Sequence, residues 1–365
     1  MPKVYIVLLN WNGWRDTIEC LESVLRLDYD SFRVIVCDNA SEDNSLDRIA
    51  EWASGSLAAG CSNPELQRLT SPPCAKPIPY LRIGPGEMVP LGARPETLFL
   101  VQTGANLGFA GGNNVGLRLA LGAGDLDYAW LLNNDTVVQP GALSSLVATM
   151  QKRHDVGICG STLLYYHASL TVQALGGSIF NRWTARVGHI GGGINLADAP
   201  TCETVERQTK YVVGASMFVR RSFLEQIGLM DERYFLYFEE IDWATRARGR
   251  FGLAYCPASI VYHKEGASIG TSDVKGKQRS ELCERFASRN RVLFTRTHYP
   301  AALVTVVSAM LVSALHRLAT GQIGNFAMVL QGIASGLLGR RNIVMNSASS
   351  RSTSVLSVGR KRKQN

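Results

Sequence analysis

Apolar runs of strand length alternate with helical patterns along the first third of the chain. Residues 4–9 form such a run and are followed by apolar positions at helical spacing over 17–27; residues 32–37 and a helix near 46–52 repeat this order. Residues 97–102 form a third run, again followed by a helical pattern. Strands and helices in this order predict an α/β fold with a doubly wound, right-handed and mostly parallel sheet.

A fourth apolar run ends abruptly in polar residues. Residues 129–132 give way to Asn133, Asn134 and Asp135. The carboxyl ends of parallel strands form the edge where open α/β sheets bind ligands, so the triplet predicts a ligand site. Asparagine and aspartate also favour turns, and the triplet alone leaves a plain turn open.

Three segments depart from this alternation. Prolines and glycines fill residues 53–96, so we expect an irregular insertion there. Residues 156–200 are strand-like and glycine-rich, and we expect them to form a smaller antiparallel extension over the site. Residues 210–219 have the pattern of one further strand.

The C-terminal part carries two apolar stretches, residues 301–315 and 326–338. Both are shorter than the ~20 residues that a membrane-spanning helix requires, so helices lying in a membrane interface are favoured. The basic cluster at 359–363 would strengthen binding to anionic lipid. Packing as core or dimer helices is the alternative. We therefore divide the chain into residues 1–300, a helical appendage over 301–340, and a basic, serine-rich disordered tail over 341–365.

Composition changes this picture little. With 365 residues, 46% hydrophobic and 19% charged, the chain is globular and long enough for one large domain plus an appendage. The net charge of +8 would suit an anionic partner, but the excess gathers in the terminal cluster, and we expect no nucleic-acid partner. Eight scattered cysteines form no CxxC pair, which argues against structural zinc and favours a reducing cytosol.

A second acidic group opens a predicted helix. Glu239, Glu240 and Asp242 lie where the helix macrodipole favours anions, and plain helix capping is the alternative. If Asp135 holds Mg²⁺ or Mn²⁺, a nucleoside diphosphate would complete the metal shell while another carboxylate takes a proton from an attacking hydroxyl. A base and a metal on opposite sides of the reacting carbon imply in-line displacement, which inverts the anomeric centre of a sugar donor.

Five short motifs occur in an order that resembles the inverting family-two glycosyltransferases, and most of all their bacterial rhamnosyltransferase branch. They are VLLNWN (7–12), VCDNAS (36–41), NLGFAGGNN (106–114), LNNDT (132–136) and FEEIDW (238–243). The resemblance spans residues 4–52 and 97–300. It implies a GT-A fold over residues 1–300, with the antiparallel extension on the acceptor side and apolar helices at the C-terminus.

The resemblance also implies a set of donor-binding residues. Leu9, Asn10 and Trp11 would line the base pocket, and Asp38 would hydrogen-bond the pyrimidine. Residues near the diphosphate and ribose would be Asn106, Gly108, Asn113 and Asn134. The glycine-rich turn at 106–114 suits this role because backbone N–H groups at a helix N-terminus can approach a phosphate.

Metal and catalytic roles follow from the same resemblance. Asp135 and His263 would be the metal ligands, although a lone histidine is also compatible with a structural role. Glu240 occupies the catalytic base position, where related enzymes usually carry aspartate, and Asp242 is the second candidate, orienting the acceptor or capping the helix. Asn133 replaces the first acidic residue of the family's DxD motif.

The resemblance favours transfer of L-rhamnose from dTDP-rhamnose to a cell-envelope glycan or lipid-linked saccharide. A UDP-sugar donor is the nearest alternative. A nucleotidyltransferase and a non-catalytic sugar-nucleotide-binding module are less favoured. We expect a cytoplasmic protein that is peripheral on the inner face of the membrane, with a homo-oligomer left open.

Overall fold

The computed structural model describes residues 1–264 and 280–339, and a ten-stranded sheet forms the centre of this part of the chain. The strands of this sheet and of a second, three-stranded sheet are β1 Val4–Asn10, β2 Phe32–Asp38, β3 Tyr80–Ile83, β4 Leu98–Gln102, β5 Tyr128–Asn133, β6 Thr136–Val138, β7 Val156–Tyr165, β8 Ala168–Leu175, β9 Gly177–Asn181, β10 Arg186–His189, β11 Tyr211–Val212, β12 Ser216–Arg220 and β13 Gly252–His263. The helices are α1 Trp14–Val24, α2 Ser45–Ser54, α3 Gly108–Gly122, α4 Ala142–Lys152, α5 Cys202–Gln208, α6 Arg221–Ile227, α7 Glu239–Arg246, α8 Glu281–His298, α9 Leu303–Ala319 and α10 Ile323–Leu338.

The order of the large sheet is β3-β4-β2-β1-β5-β12-β7-β13-β6, with β8 beside β7. The first five strands are parallel, whereas β12 lies antiparallel between β5 and β7. Asn10 pairs with Asp38, and Leu9 pairs with Asn133, so β1, β2 and β5 end at one edge. The predicted α/β fold with a mostly parallel sheet is confirmed.

Helices cover both faces of the parallel strands, which explains why these strands are continuously apolar. Along β1, Ile6 and Leu8 pack with residues of α1 and α2, whereas Tyr5 and Val7 pack with residues of α3. Because side chains alternate across a strand, each strand contributes to both cores. The polar strand ends are thus held on a rigid support.

The insertion is less irregular than its sequence suggests. Residues 53–96 supply β3, which joins the sheet as an edge strand parallel to β4. Pro79 precedes this strand and Pro85 follows it, so β3 stays short, and an edge strand needs hydrogen bonds on one side only. The expectation of a wholly irregular insertion was wrong in this respect.

The antiparallel extension is present as a three-stranded sheet of order β10-β9-β11. Two expectations about its surroundings need correction. Strands β7 and β8 belong to the large sheet, and residues 210–219 form two short strands that are interrupted at 213–215. This interruption separates the small sheet from the large one.

The C-terminal helices also differ from expectation. Pro300–Ala319 forms 20 helical residues with a mean hydropathy of 1.7, long and apolar enough to cross a membrane by length and composition alone. The expectation that both apolar stretches are too short was wrong, because the first helix continues through His316 and Arg317. Only 22% of the most apolar 18-residue stretch of this helix is buried. A single helix of this kind is weak support for membrane association. The serine-rich tail and its basic cluster lie outside the described residues.

Candidate active site

Three neighbouring strands end in side chains that hydrogen-bond to one another. The Asn10 amide donates to the Asp38 carboxylate over 2.7 Å. The Asn134 amide donates to Thr17 Oγ1 over 2.9 Å and to Asn10 Oδ1 over 3.3 Å. The structure therefore brings together three of the predicted donor-binding residues, and all three are buried.

The Asp38 carboxylate forms no ion pair with a cationic side chain among the described residues. Ser41 donates to it through its backbone N–H and its hydroxyl, and Gln102 donates through its amide. Leu9 and Trp11 flank this polar group and are half-buried. The result is a preorganised polar surface at the carboxyl end of β1 and β2.

The glycine-rich turn at 106–114 is tied to β2 by Asn39. The amide of Asn39 donates to Asn106 Oδ1 over 3.0 Å and accepts the Leu107 N–H over 2.9 Å. Gly108 has φ +70°, and a Cβ there would lie 2.3 Å from the Phe235 carbonyl oxygen, so glycine is required. This close approach joins the turn to the loop that precedes α7.

Asn113, predicted to contact the donor, is buried within α3. Its amide donates over 3.0 Å to the carbonyl of Phe109, one turn earlier in the same helix. One function of this side chain is therefore structural, and its predicted contact with the donor stays a prediction.

Asp135 and His263 lie side by side, as their predicted roles require. His263 ends β13, which pairs with β6 just after Asp135, and His263 Nε2 lies 3.1 Å from Asp135 Oδ1. Burial raises the pKa of the Asp135 carboxyl, but the charge of His263 and its hydrogen bond outweigh burial, so the pKa lies below its ordinary value. Asp135 is therefore ionised at neutral pH.

Gln173 fixes the orientation of the imidazole. Its Oε1 lies 2.9 Å from His263 Nδ1, an arrangement that places the proton on Nδ1 and directs Nε2 toward Asp135 and the Asn133 amide. If the imidazole is neutral, Nε2 and the Asp135 carboxylate both present lone pairs, and a cation between them can bind to both. If the imidazole is protonated, Nε2 can instead donate a hydrogen bond directly to the carboxylate. The sequence patterns gave no indication of Gln173.

This pair fits a divalent cation that is shared with a substrate. Mg²⁺ is commonly held by one or two carboxylates together with substrate phosphates, and manganese accepts imidazole as well as oxygen ligands. Across residues 1–264 and 280–339, no group of three or more histidine, cysteine, aspartate or glutamate side chains forms a complete metal site. Phosphate oxygens and water would have to complete the shell around Asp135 and His263.

Glu240 lies at the same sheet edge. Its carboxylate accepts the N–H of Gly214, and a Cβ on Gly214 would lie only 2.9 Å from Glu240 Oε1. The next residue, Ala215, accepts the Asn133 N–H over 3.0 Å. Glu240 is thus one strand away from the Asn133–Asn134–Asp135 turn and retains solvent-accessible surface.

The two adjacent glutamates differ in their surroundings. Burial raises the pKa of Glu240, although N–H groups of Glu240 itself and Gly214 partly offset this rise. Glu239 is only 2% exposed and one of its oxygens has no hydrogen-bond partner among the described residues. Burial and the charge of Glu240 raise the pKa of Glu239 well above its ordinary value. Burial thus favours the protonated form at both positions, and most strongly at Glu239.

The loop leading to Glu240 has an unusual backbone. Phe235, Tyr237 and Phe238 have φ values of 60°, 70° and 78°, in the left-handed region that costs bulky residues about 1–3 kcal/mol each. Asn290 of α8 lies inside this loop, with Nδ2 at 2.6, 2.8 and 3.0 Å from the carbonyl oxygens of Tyr234, Leu236 and Tyr237. Asn290 is fully buried and was missed because its role depends on a fold-level contact.

Asp242, the second predicted catalytic residue, is buried and heavily bonded. One carboxylate oxygen accepts from Arg246 Nε over 2.7 Å. The other lies 2.7 Å from His298 Nε2 and 3.3 Å from the Tyr234 hydroxyl. These contacts join α7 to the end of α8, so the geometry favours an anchoring role for Asp242.

Comparisons with known proteins agree with this architecture. A family model described as "Glycosyltransferase like family 2" matches residues 95–280, just over half of the chain, and one described as "Glycosyl transferase family 2" matches residues 5–65. The solved structure of GalNAc-T7 with UDP, GalNAc and Mn²⁺ aligns with a TM-score of 0.50 at 12% identity, covering 80% of this chain and 47% of that chain. A likeness at this identity concerns the fold alone.

Two curated relatives share part of the sequence. The N-acetylglucosaminyl-diphospho-decaprenol L-rhamnosyltransferase of Mycobacterium tuberculosis is 27% identical over 194 residues, which cover 47% of this chain and 60% of the relative. The low-salt glycan biosynthesis hexosyltransferase Agl10 of Haloferax volcanii is 23% identical over 225 residues, covering 60% of this chain and 70% of the relative. The family match over half the sequence shows that this chain belongs to glycosyltransferase family 2.

Proposed function

We propose that the protein is a metal-dependent inverting glycosyltransferase. The observation that carries this proposal is the pairing, at one sheet edge, of an ionised Asp135 beside His263 with a Glu240 of raised pKa. Two carboxyl groups with oppositely shifted pKa values suit opposite roles, one binding a cation and the other exchanging a proton.

The donor would be a nucleoside-diphosphate sugar. Asn10, Asp38 and Asn134 supply buried polar groups for the nucleoside, and the turn that begins at Asn106 and Gly108 supplies backbone N–H groups near the diphosphate. The name of the mycobacterial relative supports L-rhamnose, with dTDP-rhamnose as the favoured donor. UDP-sugars are the alternative, since the GalNAc-T7 structure contains UDP.

Asp135 and His263 would hold Mg²⁺ or Mn²⁺. When bound, such an ion neutralises charge on the departing diphosphate. Gln173 keeps the imidazole aimed at this position through Nδ1, and the buried setting of Asp135 limits competition from water. Asn133 contributes an amide in place of a second carboxylate, so the protein supplies less negative charge than two aspartates would.

Glu240 would be the catalytic base. Its raised pKa makes the carboxylate a better proton acceptor than an ordinary glutamate, and the residue is only half-buried. Proton removal on one side of the anomeric carbon, with diphosphate departing on the other, inverts its configuration. Asp242 would hold α7 in place through its contacts with Arg246 and His298. We therefore propose that it positions Glu240 and does not itself react.

The favoured acceptor is a lipid-linked saccharide or another cell-envelope glycan. The printed name of the mycobacterial relative describes a sugar on a diphospho-lipid. Such an acceptor would place the enzyme in the cytoplasm, peripheral on the inner membrane face. Within the chain, residues 1–300 would form the catalytic domain and residues 301–340 an appendage next to the membrane or a partner subunit.

A two-stage experiment on the purified protein tests this function. The first stage measures thermal stabilisation by dTDP-rhamnose and UDP-sugars with and without Mn²⁺, because a ligand that binds only the folded state raises its apparent stability. The second stage measures consumption of the stabilising donor. Glu240→Gln should retain donor binding and lose turnover, and Asp135→Ala should lose the Mn²⁺-dependent part of the stabilisation.

Glu225→Gln is a matched control, because Glu225 lies on the surface of α6 in an exposed ion pair with Arg221. It should behave like the wild type. Pyrophosphate release from a nucleoside triphosphate would instead identify a nucleotidyltransferase. Donor binding without turnover under all conditions, with Glu240→Gln indistinguishable from wild type in cells, would indicate a binding module.

A further inference from the structure

A cavity of about 430 Å³ lies outside the site described above. It is bounded by the β9–β10 hairpin and by the chain between α8 and α9. Arg182, Lys210 and Arg248 line it, and no carboxylate among the described residues does. Three cations around one cavity without a counter-charge form a site of positive potential, which attracts anions.

Aromatic side chains form the remaining wall. Trp183 lies on the hairpin with 48% of its surface exposed, and the Tyr299 hydroxyl accepts a hydrogen bond from Arg248 over 2.6 Å. Aromatic residues with one polar end are common where apolar and aqueous surroundings meet. The cavity therefore combines charge with an amphipathic rim.

An exposed apolar surface begins at this rim. Thr305 near the start of α9 donates to the Trp183 carbonyl over 2.7 Å, so the hairpin and α9 are in contact. On α9, Val304 and Val312 are 76% and 69% exposed, and Leu315 is exposed as well. A charged cavity next to such a surface fits a molecule that has an anionic head and a hydrocarbon tail.

The cavity also neighbours the catalytic edge. Phe180 and Tyr299, which line it, pack against the apolar cluster that contains Ile241, the residue after Glu240. Lys210 directly precedes β11, and the chain continues from β11 to Gly214 at the Glu240 carboxylate. A sugar attached to a head group in the cavity would thus lie on the side of the base.

We propose that this cavity binds the phosphate groups of a lipid-linked acceptor, with the lipid tail along α9. This inference rests on the proposed function and assigns its acceptor a site. Arginine pairs with phosphate through its planar guanidinium, and lysine adds a point charge, so the three cations match a diphosphate. The tail gains stabilisation by covering the exposed apolar side chains of α9.

The test uses the full-length protein and farnesyl diphosphate as a soluble amphiphilic probe. Binding is followed by tryptophan fluorescence in EDTA, in the absence and in the presence of saturating dTDP, so that competition between probe and nucleotide is measured directly. Farnesol tests the tail alone, and inorganic pyrophosphate tests the charge alone. Trp183→Phe identifies the signal from the cavity.

The charge-neutralising variant is Arg182→Gln/Lys210→Gln/Arg248→Gln. We expect it to weaken farnesyl diphosphate binding by about tenfold or more, because several charge-assisted hydrogen bonds are lost. Arg182→Gln/Lys210→Gln keeps the Arg248–Tyr299 bond and should show an intermediate loss. A control of equal charge change, Arg68→Gln/Arg94→Gln/Lys152→Gln, replaces exposed residues outside the cavity and should bind like the wild type.

Equal affinity in both triple variants would overturn the proposal, as would no binding by the wild type or displacement of the probe by dTDP. A third arm uses phosphatidylcholine vesicles with and without phosphatidylglycerol. Loss of anionic vesicle binding in the cavity variant, with probe binding unchanged, would assign the cations to membrane lipid and overturn the proposal. The thermal shift with dTDP, measured on the same samples, reports independently on the donor site.

Discussion

Replacing Asn290 with alanine removes a single buried amide that holds the loop in front of Glu240. The amide approaches three carbonyl oxygens, at Tyr234, Leu236 and Tyr237. Its two N–H groups can make two full hydrogen bonds, and each contributes about 1 kcal/mol net, while a carbonyl left buried without a partner costs about 1–3 kcal/mol. The expected loss of folding free energy is therefore about 2–4 kcal/mol.

The loop has a specific reason to move once the amide is gone. Three of its residues, including Phe238 directly before α7, hold positive φ values at about 1–3 kcal/mol each. Relaxation of Phe238 would tilt the first turn of α7 and displace Glu240. A displacement near 1 Å is enough to lower the catalytic rate about 100-fold.

The assay separates positioning from stability. For Asn290→Ala we expect a large fall in kcat at a temperature where the variant is folded. The KM for the donor should rise less, because Phe235 of the loop contacts the turn at Gly108 whereas Asn10 and Asp38 lie on other elements. Asn290→Gln should restore part of kcat because it keeps an amide. Asn325→Ala is the control: Asn325 is also buried, but lies on α10.

Two outcomes would refute this reasoning. If Asn290→Ala lowers the melting temperature Tm while kcat stays at the wild-type value, the amide supports folding only. If the KM for the donor rises and kcat does not fall, the loop serves the donor and not the base.

Four further expectations follow from the site. First, turnover should fall on acidification with an apparent pKa above that of an ordinary glutamate, since protonation of Glu240 removes the base; a pH–rate profile with an ordinary value would contradict this. Second, the folded-state pKa of Glu239 is raised, so this residue contributes fully to stability below the ordinary glutamate pKa, and the contribution is lost as pH rises through the raised pKa. Because glutamine stays neutral at every pH, Glu239→Gln should raise Tm more at pH 9 than at pH 4. Third, Gln173→Ala should weaken Mn²⁺ binding in the presence of donor about 10–100-fold, measured by calorimetry, because the His263 ring loses its partner. Fourth, Gly214→Ala should abolish turnover and preserve the thermal shift by donor, because its Cβ would displace the Glu240 carboxylate.

Local patterns were sufficient for four of the five parallel strands, β1, β2, β4 and β5. Strands β1, β2 and β5 are buried on both faces, so their apolar runs stand out, and the polar residues after them mark the functional edge. Parallel pairing then requires these ends to meet. This pattern singled out Asn133, Asn134 and Asp135, whereas Asn10 and Asp38 were assigned to the donor site by the family resemblance.

The remaining features depend on partners far apart in the chain. Gln173 meets His263 across 90 residues, and Asn290 reaches Tyr234 across 56. No periodicity links such pairs, because each follows from strand order or helix docking. Strand β3 was missed for a related reason: an edge strand of four residues between prolines gives too short a pattern.

The antiparallel direction of β12 explains how Asp135 and Glu240 come to lie at one sheet edge although they belong to different elements. A parallel strand beside β5 would have brought its own carboxyl end to this edge. Because β12 runs the other way, the residues before it, 213–215, lie beside Asn133, and Gly214 there receives the Glu240 carboxylate. Asp135 lies in the turn from β5 to β6, and His263 reaches it from the end of β13, which pairs with β6. The reversal of one strand thus lets the proposed base, Glu240, approach the edge that carries the proposed metal ligand, Asp135, from a separate element. The two carboxyl groups therefore have different surroundings, and their pKa values shift in opposite directions.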